Sequence, residues 1–270
     1  MNQEKLVELG FKYYATNADL LFYNSLVSTL SLFRKHIGES FLVDVSSQLN
    51  YPNFSICYDL VKKELIRIFG EPSSDVILTE VKEHIQDTIG HYENKSLQEI
   101  LAEIKKSEIS TLIHDMNSPE KVLLLWKTEQ FKDHLFCEFF NRDGSENIFF
   151  GNSEVPIMKS RIIPYDKILE DISVAIQKEI ELTNQVCQFS KSPTVFVGAE
   201  DMTNWFNAGL TNEFLNFRRC DSDYFKEKSI YRLCGLNIAK NVDKEIISKV
   251  APLFNTIIVE EPLLIYKQKL

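Results

Sequence analysis

The sequence lacks the short motifs that most directly indicate catalysis. It contains no GxGxxG, GxxxxGK(S/T), HExxH or GxSxG pattern. These patterns mark dinucleotide-binding turns, P-loops, zinc peptidases and the nucleophile turn of α/β-hydrolases. We therefore predict no catalytic, cofactor-binding or metal-binding residues, no cofactor, and a protein that is not an enzyme. An enzyme of an unrecognised family is kept as an alternative, because a site built from residues distant in the sequence leaves no motif.

Glycine and long apolar segments are also scarce. Only 9 of the 270 residues are Gly, while 44% are hydrophobic and 26% are charged, which argues against a low-complexity chain and is typical of a globular protein. No apolar run reaches the roughly 18 residues of a membrane-spanning helix. The first residues, MNQEKLVELGFKYY, contain no apolar core of an export signal. We expect a cytoplasmic protein without membrane contact.

Basic residues are outnumbered, and cysteines do not form a recognisable set. The 30 Lys and Arg residues against 39 Asp and Glu give a net charge of -9. This charge opposes nucleic-acid binding, which needs a basic face to neutralise phosphates, so we predict no specific nucleic-acid binding. The spacing of the five cysteines fits neither a disulfide framework nor a zinc site. We interpret them as reduced and mostly buried thiols: Cys57, Cys137, Cys187, Cys220 and Cys234.

The first half of the chain has the pattern of a helical region, which we place over residues 1–125. Apolar residues recur at three- and four-residue spacing, for example over residues 58–68. Ser96 with Glu99 three positions later is a capping-box pattern that opens another helix. Residues 118–126 begin with Ser-Pro-Glu, a helix-start signal that predicts a helix in the residues that follow.

Residues 126–270 have the pattern of an α+β domain. Two aromatic-rich runs lie on either side of Asp143-Gly144 and predict a β-hairpin over residues 134–150. An apolar stripe at helical spacing predicts a long helix over residues 167–189. The fold class that follows is α+β, with a helix-rich N-terminal half.

After the long helix, the sequence predicts a mixed or antiparallel sheet. The residues TVFVG at 194–198 form a short buried strand pattern, and a short helix follows over residues 201–208. Further apolar runs predict four strands, two on either side of Gly235 and two on either side of Glu261-Pro262.

Two pairs of residues give weak indications of chemistry. Glu80 and Lys82 match half of a metal-dependent nuclease site, but they lie in a helical period where that site needs a strand. Asp133 and His134 are neighbours, but the spacing assigns no Ser or Cys nucleophile to them. We interpret all four as ordinary surface or core residues.

One order of elements is distinctive: a helix leads into TVFVG, then into AEDMTNWFNAGL, and later into IYRLCGLNIAKN. This order, over residues 167–209 and 230–241, resembles that of HK97-type phage major capsid proteins. The resemblance implies a non-enzymatic structural protein of a phage-like particle, either a capsid or a capsid-associated subunit found in the virion. It also places the hairpin of residues 134–150 where that family has its extended E-loop.

The resemblance implies that the protein acts by subunit assembly, as a homo-oligomer. Its partners would be other copies of itself or other structural proteins, and no cofactor would be needed. Apolar hairpin residues would pack on neighbouring subunits: Phe139, Phe140, Phe149 and Phe150. The alternative interpretation places the same phenylalanines in the protein's own core.

A second functional hypothesis comes from the acidic residues of the helical half. Glu and Asp recur at positions 80, 83, 87, 93, 99 and 103. Such a face fits a cytosolic acidic binding protein, of the immunity or inhibitor type, that engages a basic protein partner. The alternative is an ordinary solvated helix surface.

Overall fold

The chain has the predicted α+β class, with a helix-rich N-terminal half and an eight-stranded sheet. The computed structural model describes residues 3–33, 41, 58–90, 92, 94–116, 121–141, 146–151, 160–189, 194–224, 229–240, 244–261 and 263–268. The helices in these residues are α1 (Gln3–Glu8), α2 (Asn17–Phe33), α3 (Tyr58–Phe69), α4 (Glu71–Ile89), α5 (Leu97–His114), α6 (Glu129–Phe140), α7 (Tyr165–Leu169), α8 (Ala175–Phe189), α9 (Thr203–Asn207), α10 (Thr211–Tyr224) and α11 (Lys244–Val250). The strands are β1 (Phe11–Tyr13), β2 (Lys121–Trp126), β3 (Glu146–Phe150), β4 (Ser160–Ile163), β5 (Thr194–Ala199), β6 (Ser229–Asn237), β7 (Thr256–Val259) and β8 (Leu264–Gln268).

These elements form two compact units. The helical unit consists of residues 13–109 and 262–264, and the sheet unit consists of residues 1–12, 110–261 and 265–270. The predicted boundary between residues 125 and 126 falls within strand β2, inside the sheet unit.

The helical unit is built around one apolar core. Helix α4 contributes Ile77, Val81 and Ile85, which recur every four residues and are buried on one face. Helices α2 and α3 both pack on α4. Helix α3 ends at Gly70, whose φ of 77° lies in the left-handed region that glycine adopts without strain. The apolar periodicity that predicted helices in this part of the chain therefore corresponds to a buried helix face.

A network of charged and polar groups fixes the start of α2 within the helical unit. The Asp19 carboxylate accepts hydrogen bonds from Thr16 N (2.9 Å) and Tyr13 OH (2.5 Å), and it forms an ion pair with Lys105 Nζ (2.7 Å). The Glu108 carboxylate accepts from the backbone N–H groups at the beginning of the helix. Carboxylates at a helix N-terminus satisfy its unpaired N–H groups and interact favourably with its dipole. Glu108 from α5 and Asp19 from α2 itself therefore stabilise the start of α2.

The sheet is mixed and has the strand order β1-β8-β7-β2-β6-β5-β3-β4. The six strands from β7 to β4 run parallel to one another. Strands β7 and β8 are adjacent and joined by only four residues, which is too short for a parallel crossover, so they run antiparallel. The Gln268 N–H donates to the Asn255 carbonyl (2.8 Å), as expected at the open end of such a pair.

The central strands are buried apolar runs. Strands β2 and β5 are buried at every position after the first, and all four residues of β7 are buried. This composition is typical of parallel strands covered on both faces. The predicted strands at β5, β7 and β8 are confirmed.

The predicted β-hairpin over residues 134–150 is wrong, because residues 129–140 form helix α6. Phe131, Leu135 and Phe139 recur every four residues and are buried, and Thr128 Oγ1 accepts a hydrogen bond from Phe131 N to cap the helix. Aromatic residues favour strands mainly where their side chains can pack on a sheet. In residues 129–140 the helical spacing of the buried side chains outweighs that preference, and the segment is a helix. Asp143 and Gly144, the predicted turn, lie outside the described residues.

Three further segments differ from the prediction. Residues 121–126 are strand β2 and not a helix, because five of the six side chains are buried. The long helix is interrupted between Leu169 and Ala175, where Asp171 Oδ1 accepts from Ser173 N (3.0 Å) and starts a new helical turn. Strand β6 continues through Gly235 as one strand of nine residues.

The described helices include none that is both long enough and apolar enough to cross a membrane. Among the cysteines, Cys187 and Cys234 are buried and Cys137 is partly exposed, while Cys57 lies outside the described residues.

Candidate functional site

The carboxyl ends of the parallel strands bring charged side chains from distant parts of the sequence to one edge of the sheet. Strands β2 and β6 end in register at Trp126 and Asn237, and β5 ends next to β6 at Ala199. In open parallel sheets, ligands bind at this edge, outside the carboxyl ends of the strands. We call the residues that meet there the carboxyl edge: Trp126, Lys132, Glu200, Asp201, Asn237 and Lys240.

Lys132 places a fully buried positive charge at this edge. Its Nζ atom lies 2.6 Å from Glu200 Oε1 and 3.2 Å from Asp133 Oδ1, and it also forms an ion pair with Glu129. The same atom lies 5.1 Å from the centroid of the Trp126 ring, which is the distance of a cation–π contact. Lys132 stands in the first turn of α6, so the capping of that helix by Thr128 also positions the ammonium group.

The pKa of Lys132 is raised above its ordinary value. Burial is the largest influence and by itself favours the neutral amine, but the hydrogen bonds to Glu129 and Glu200 and the negative charge of Asp133 outweigh it. The group therefore stays protonated at neutral pH. It acts as a fixed positive charge and not as a nucleophile or a general base.

Glu200 follows β5 and connects the ends of three strands through its backbone. Its N–H donates to the Phe150 carbonyl at the end of β3 (2.8 Å), and its carbonyl accepts from Trp126 Nε1 at the end of β2 (3.2 Å). This position depends on a glycine in β6, because a Cβ atom on Gly235 would lie 2.1 Å from the Glu200 carbonyl oxygen. The close approach of these segments holds the Glu200 carboxylate against Lys132.

Asp201 is the next residue, and its carboxylate has a separate set of partners. Its Oδ1 atom accepts from Thr203 N (3.1 Å) and Asn237 N (3.3 Å), and its Oδ2 atom forms an ion pair with Lys240 Nζ (3.1 Å). The Asp201 N–H donates to the hydroxyl of Tyr165 (3.2 Å), whose pKa is raised well above its usual range by burial. Two consecutive carboxylates therefore contact two different lysines.

The phenylalanines predicted as a subunit interface are buried in the chain's own core. Phe139 and Phe140 lie on α6, Phe149 and Phe150 lie on β3, and none is more than 3% exposed. The Phe139 and Phe140 rings contact each other edge to face with centroids 5.0 Å apart, and Phe140 contacts Phe149 at 6.1 Å. Buried in this way, the four side chains offer no surface to a neighbouring subunit.

The weak sequence candidates occupy other places. Glu80 and Lys82 lie on helix α4, as their helical period indicated. His134 Nε2 lies 2.7 Å from Ser110 Oγ on α5, a pairing that sequence spacing could not reveal. Within the described part of the chain, no group of three or more His, Cys, Asp or Glu residues is arranged to hold a metal ion.

The sequence reasoning did not find the carboxyl edge. No sequence pattern singles out Lys132, Glu200 or Lys240, and Asp201 is predicted only as the start of a short helix. One signal was present: two consecutive acidic residues directly follow the buried run TVFVGA. Polar residues that follow a buried parallel strand lie at the ligand-binding edge of the sheet.

The fold and this edge together define an α+β protein with a cluster of buried charged residues at the ends of parallel strands. No protein family, curated protein or solved structure matches the chain. The resemblance to HK97-type capsid proteins, and the assembly role that it implies, stay predictions.

Proposed function

We propose that the protein binds a small polar ligand at the carboxyl edge and does not transform it. The observation that carries the proposal is the meeting of Lys132, Glu200, Asp201 and Lys240 at the ends of three parallel strands. These residues come from three segments of the sheet unit, which follow β2, β5 and β6. Their position coincides with the place where parallel sheets bind ligands.

The cost of burying charge supports a role beyond stability. Taking a charged pair out of water costs several kcal/mol per ion, and well-packed apolar residues often replace such pairs with no loss of stability. Lys132 is fully buried, and the side chains of Glu200 and Asp201 are about one-tenth exposed or less. A group of buried charges at the ligand-binding edge is better explained by recognition than by stabilisation.

The groups present favour binding over catalysis. The Lys132 amine is held in its protonated form, and Asp201 Oδ1 is occupied by two backbone N–H groups. General acid-base chemistry needs a group that exchanges a proton near neutral pH, and the ammonium of Lys132 does not meet that need.

The proposal is tested by ligand screening followed by hydrogen exchange. We expect at least one compound in a panel of small polar metabolites to raise the melting temperature of the full chain by a few degrees. The reason is that a ligand at 100 times its Kd stabilises the folded state by about 2.7 kcal/mol. The same compound should slow amide exchange in residues 199–203 and 235–240.

The helical unit supplies the internal control for this experiment. Exchange in helix α4 should be unchanged by the ligand, since α4 contributes nothing to the carboxyl edge. A panel without any stabilising compound, or protection confined to other segments, would contradict the proposed function.

A second candidate function rests on the exposed face of α4. Five acidic residues on this helix are exposed, and none has a salt-bridge partner among the described residues: Glu71, Asp75, Glu80, Glu83 and Asp87. Glu80, Glu83 and Asp87 lie three and four residues apart and therefore share one face. This face suits the cytosolic acidic binding protein that the sequence predicted, with a basic protein as partner; of the acidic positions behind that hypothesis, residue 93 lies outside the described residues.

Charge neutralisation tests this second candidate. Replacing Glu80, Glu83 and Asp87 by their amides should weaken binding of a basic helical peptide about tenfold at low salt, because exposed charges are poorly screened there. The matched control neutralises three exposed acids of the sheet unit: Asp115, Glu181 and Glu213. Equal losses in the two triple variants would show only a net-charge effect and would exclude a specific acidic face.

A further inference from the structure

The Asp201 carboxylate is held in place independently of the lysine that neutralises it. Its side chain is 5% exposed, and Oδ1 is fixed by the N–H groups of Thr203 and Asn237. Asn237 Oδ1 in turn accepts from Ala239 N (2.9 Å), which fixes the turn after β6. Removing the Lys240 ammonium therefore leaves Asp201 oriented, with Oδ2 unpaired.

Lys240 is bound much less firmly than its partner. Its side chain is 60% exposed, and it contacts Asp201 Oδ2 through the end of a long flexible stem. An exposed lysine gives up such a contact at little cost because water solvates the released ammonium. A buried carboxylate cannot give up its cation as easily, so another positive group must replace the one that leaves.

The hydroxyl of Thr203 offers a second acceptor close to this carboxylate. Thr203 is 7% exposed, its N–H donates to Asp201, and its Oγ1 atom has no hydrogen-bond partner among the described residues. A buried hydroxyl without a partner is unfavourable, and binding a donor removes that penalty. The Lys240 ammonium pairs with Asp201 Oδ2 but does not donate to this hydroxyl, whereas a ligand ammonium has three donors and is not tied to the Lys240 backbone.

We infer that the ligand of the carboxyl edge carries a primary ammonium group that takes the place of Lys240 on Asp201 Oδ2. This inference rests on the proposed function and names the class of ligand for the same site. Lys240 then acts as an internal competitor that occupies the site when the ligand is absent. A divalent cation is a poorer fit, since among the described residues no group of three or more His, Cys, Asp or Glu side chains is arranged to hold a metal ion.

The internal competition gives the inference a specific experimental outcome. Calorimetric titrations of the full chain would use 1,4-diaminobutane and lysine as amine probes and 1,4-butanediol as the uncharged match. We expect the amines to bind and the diol not to bind. Lys240→Ala should increase amine affinity about tenfold because the competitor is removed, and Asp201→Asn should reduce it at least tenfold.

Lys127→Ala is the matched control. Lys127 is also a half-exposed lysine in an ion pair, with Glu261, and its loss should leave amine affinity unchanged. If Asp201→Asn does not fold, the comparison of Lys240→Ala with Lys127→Ala still decides the question, because both lysines are exposed.

The possible failures are distinguishable. Unchanged or weaker amine binding in Lys240→Ala would overturn the inference. A neutral or anionic compound that protects residues 199–203 and 235–240 from exchange, with no binding of amines, would also overturn it but would leave the proposed function intact. The absence of any ligand at this edge would overturn both.

Discussion

Replacing Lys132 by Met should lower the free energy of unfolding of the sheet unit by about 3 to 5 kcal/mol at pH 7, because it leaves a buried carboxylate without its cation. Lys132 is fully buried, and its partner Glu200 has a side chain that is 11% exposed. Methionine fills nearly the same volume as lysine. The loss of unfolding free energy therefore measures the removal of the charge and not the creation of a cavity. Denaturant unfolding followed by tryptophan fluorescence measures the effect in the sheet unit, which contains both tryptophans, Trp126 and Trp205.

Two comparison variants isolate the charge. Lys127→Met removes an exposed lysine from its pair with Glu261 and should leave the free energy of unfolding nearly unchanged, because exposed ion pairs contribute little. Adding Glu200→Gln to Lys132→Met should restore part of the lost stability, since no buried charge is then left unpaired. A Lys132→Met variant as stable as Lys127→Met would show that the buried pair does not hold the edge together.

The second large effect is expected at Gly235. A Cβ atom there would lie 2.1 Å from the Glu200 carbonyl oxygen and 2.9 Å from Trp126 Nε1. The nearest clash is with backbone, which cannot rotate away, so Gly235→Ala should destabilise the sheet unit by about 3 kcal/mol or more. The substitution would also push Glu200 from Lys132, and it should therefore abolish ligand binding in any variant that still folds.

Gly209→Ala separates this clash from ordinary backbone strain. Gly209 has a φ of 77°, but a Cβ atom there would meet nothing within 4 Å. Its replacement should cost only about 1 to 2 kcal/mol, the penalty for a left-handed alanine. Thermal or denaturant unfolding that gave equal losses at the two glycines would contradict the close approach of β6 and Glu200.

The fold was predictable where one local pattern dominated. Helix α4 followed from apolar residues every four positions, and β5 followed from a short apolar run between turn residues. The prediction failed at α6, where phenylalanines spaced as in a helix were read through their preference for strands. It failed again at β2, where a helix-start signal precedes a buried strand, because tertiary burial outweighs a local cap.

The candidate site was not predictable by the same means. Lys132 and Glu200 are 68 positions apart, and their contact depends on the order of the strands, which no local pattern contains. Asp201 and Lys240 meet only because β5 and β6 are parallel neighbours. Residues that are unremarkable in sequence become a site when topology places the ends of their strands together.

Glu200 and Asp201 are joined by one peptide unit, which is planar and stiff. Because Glu200 contacts the cation on α6 and Asp201 contacts the cation after β6, a displacement of the backbone between them would move both ion pairs. If a change of cation on Asp201 moves this backbone, its effect on the position of α6 and the reverse effect share one coupling free energy, equal in both directions. A change of cation on Asp201 that moves the two-residue segment after β5 would therefore also alter the Glu200–Lys132 pair in the first turn of α6.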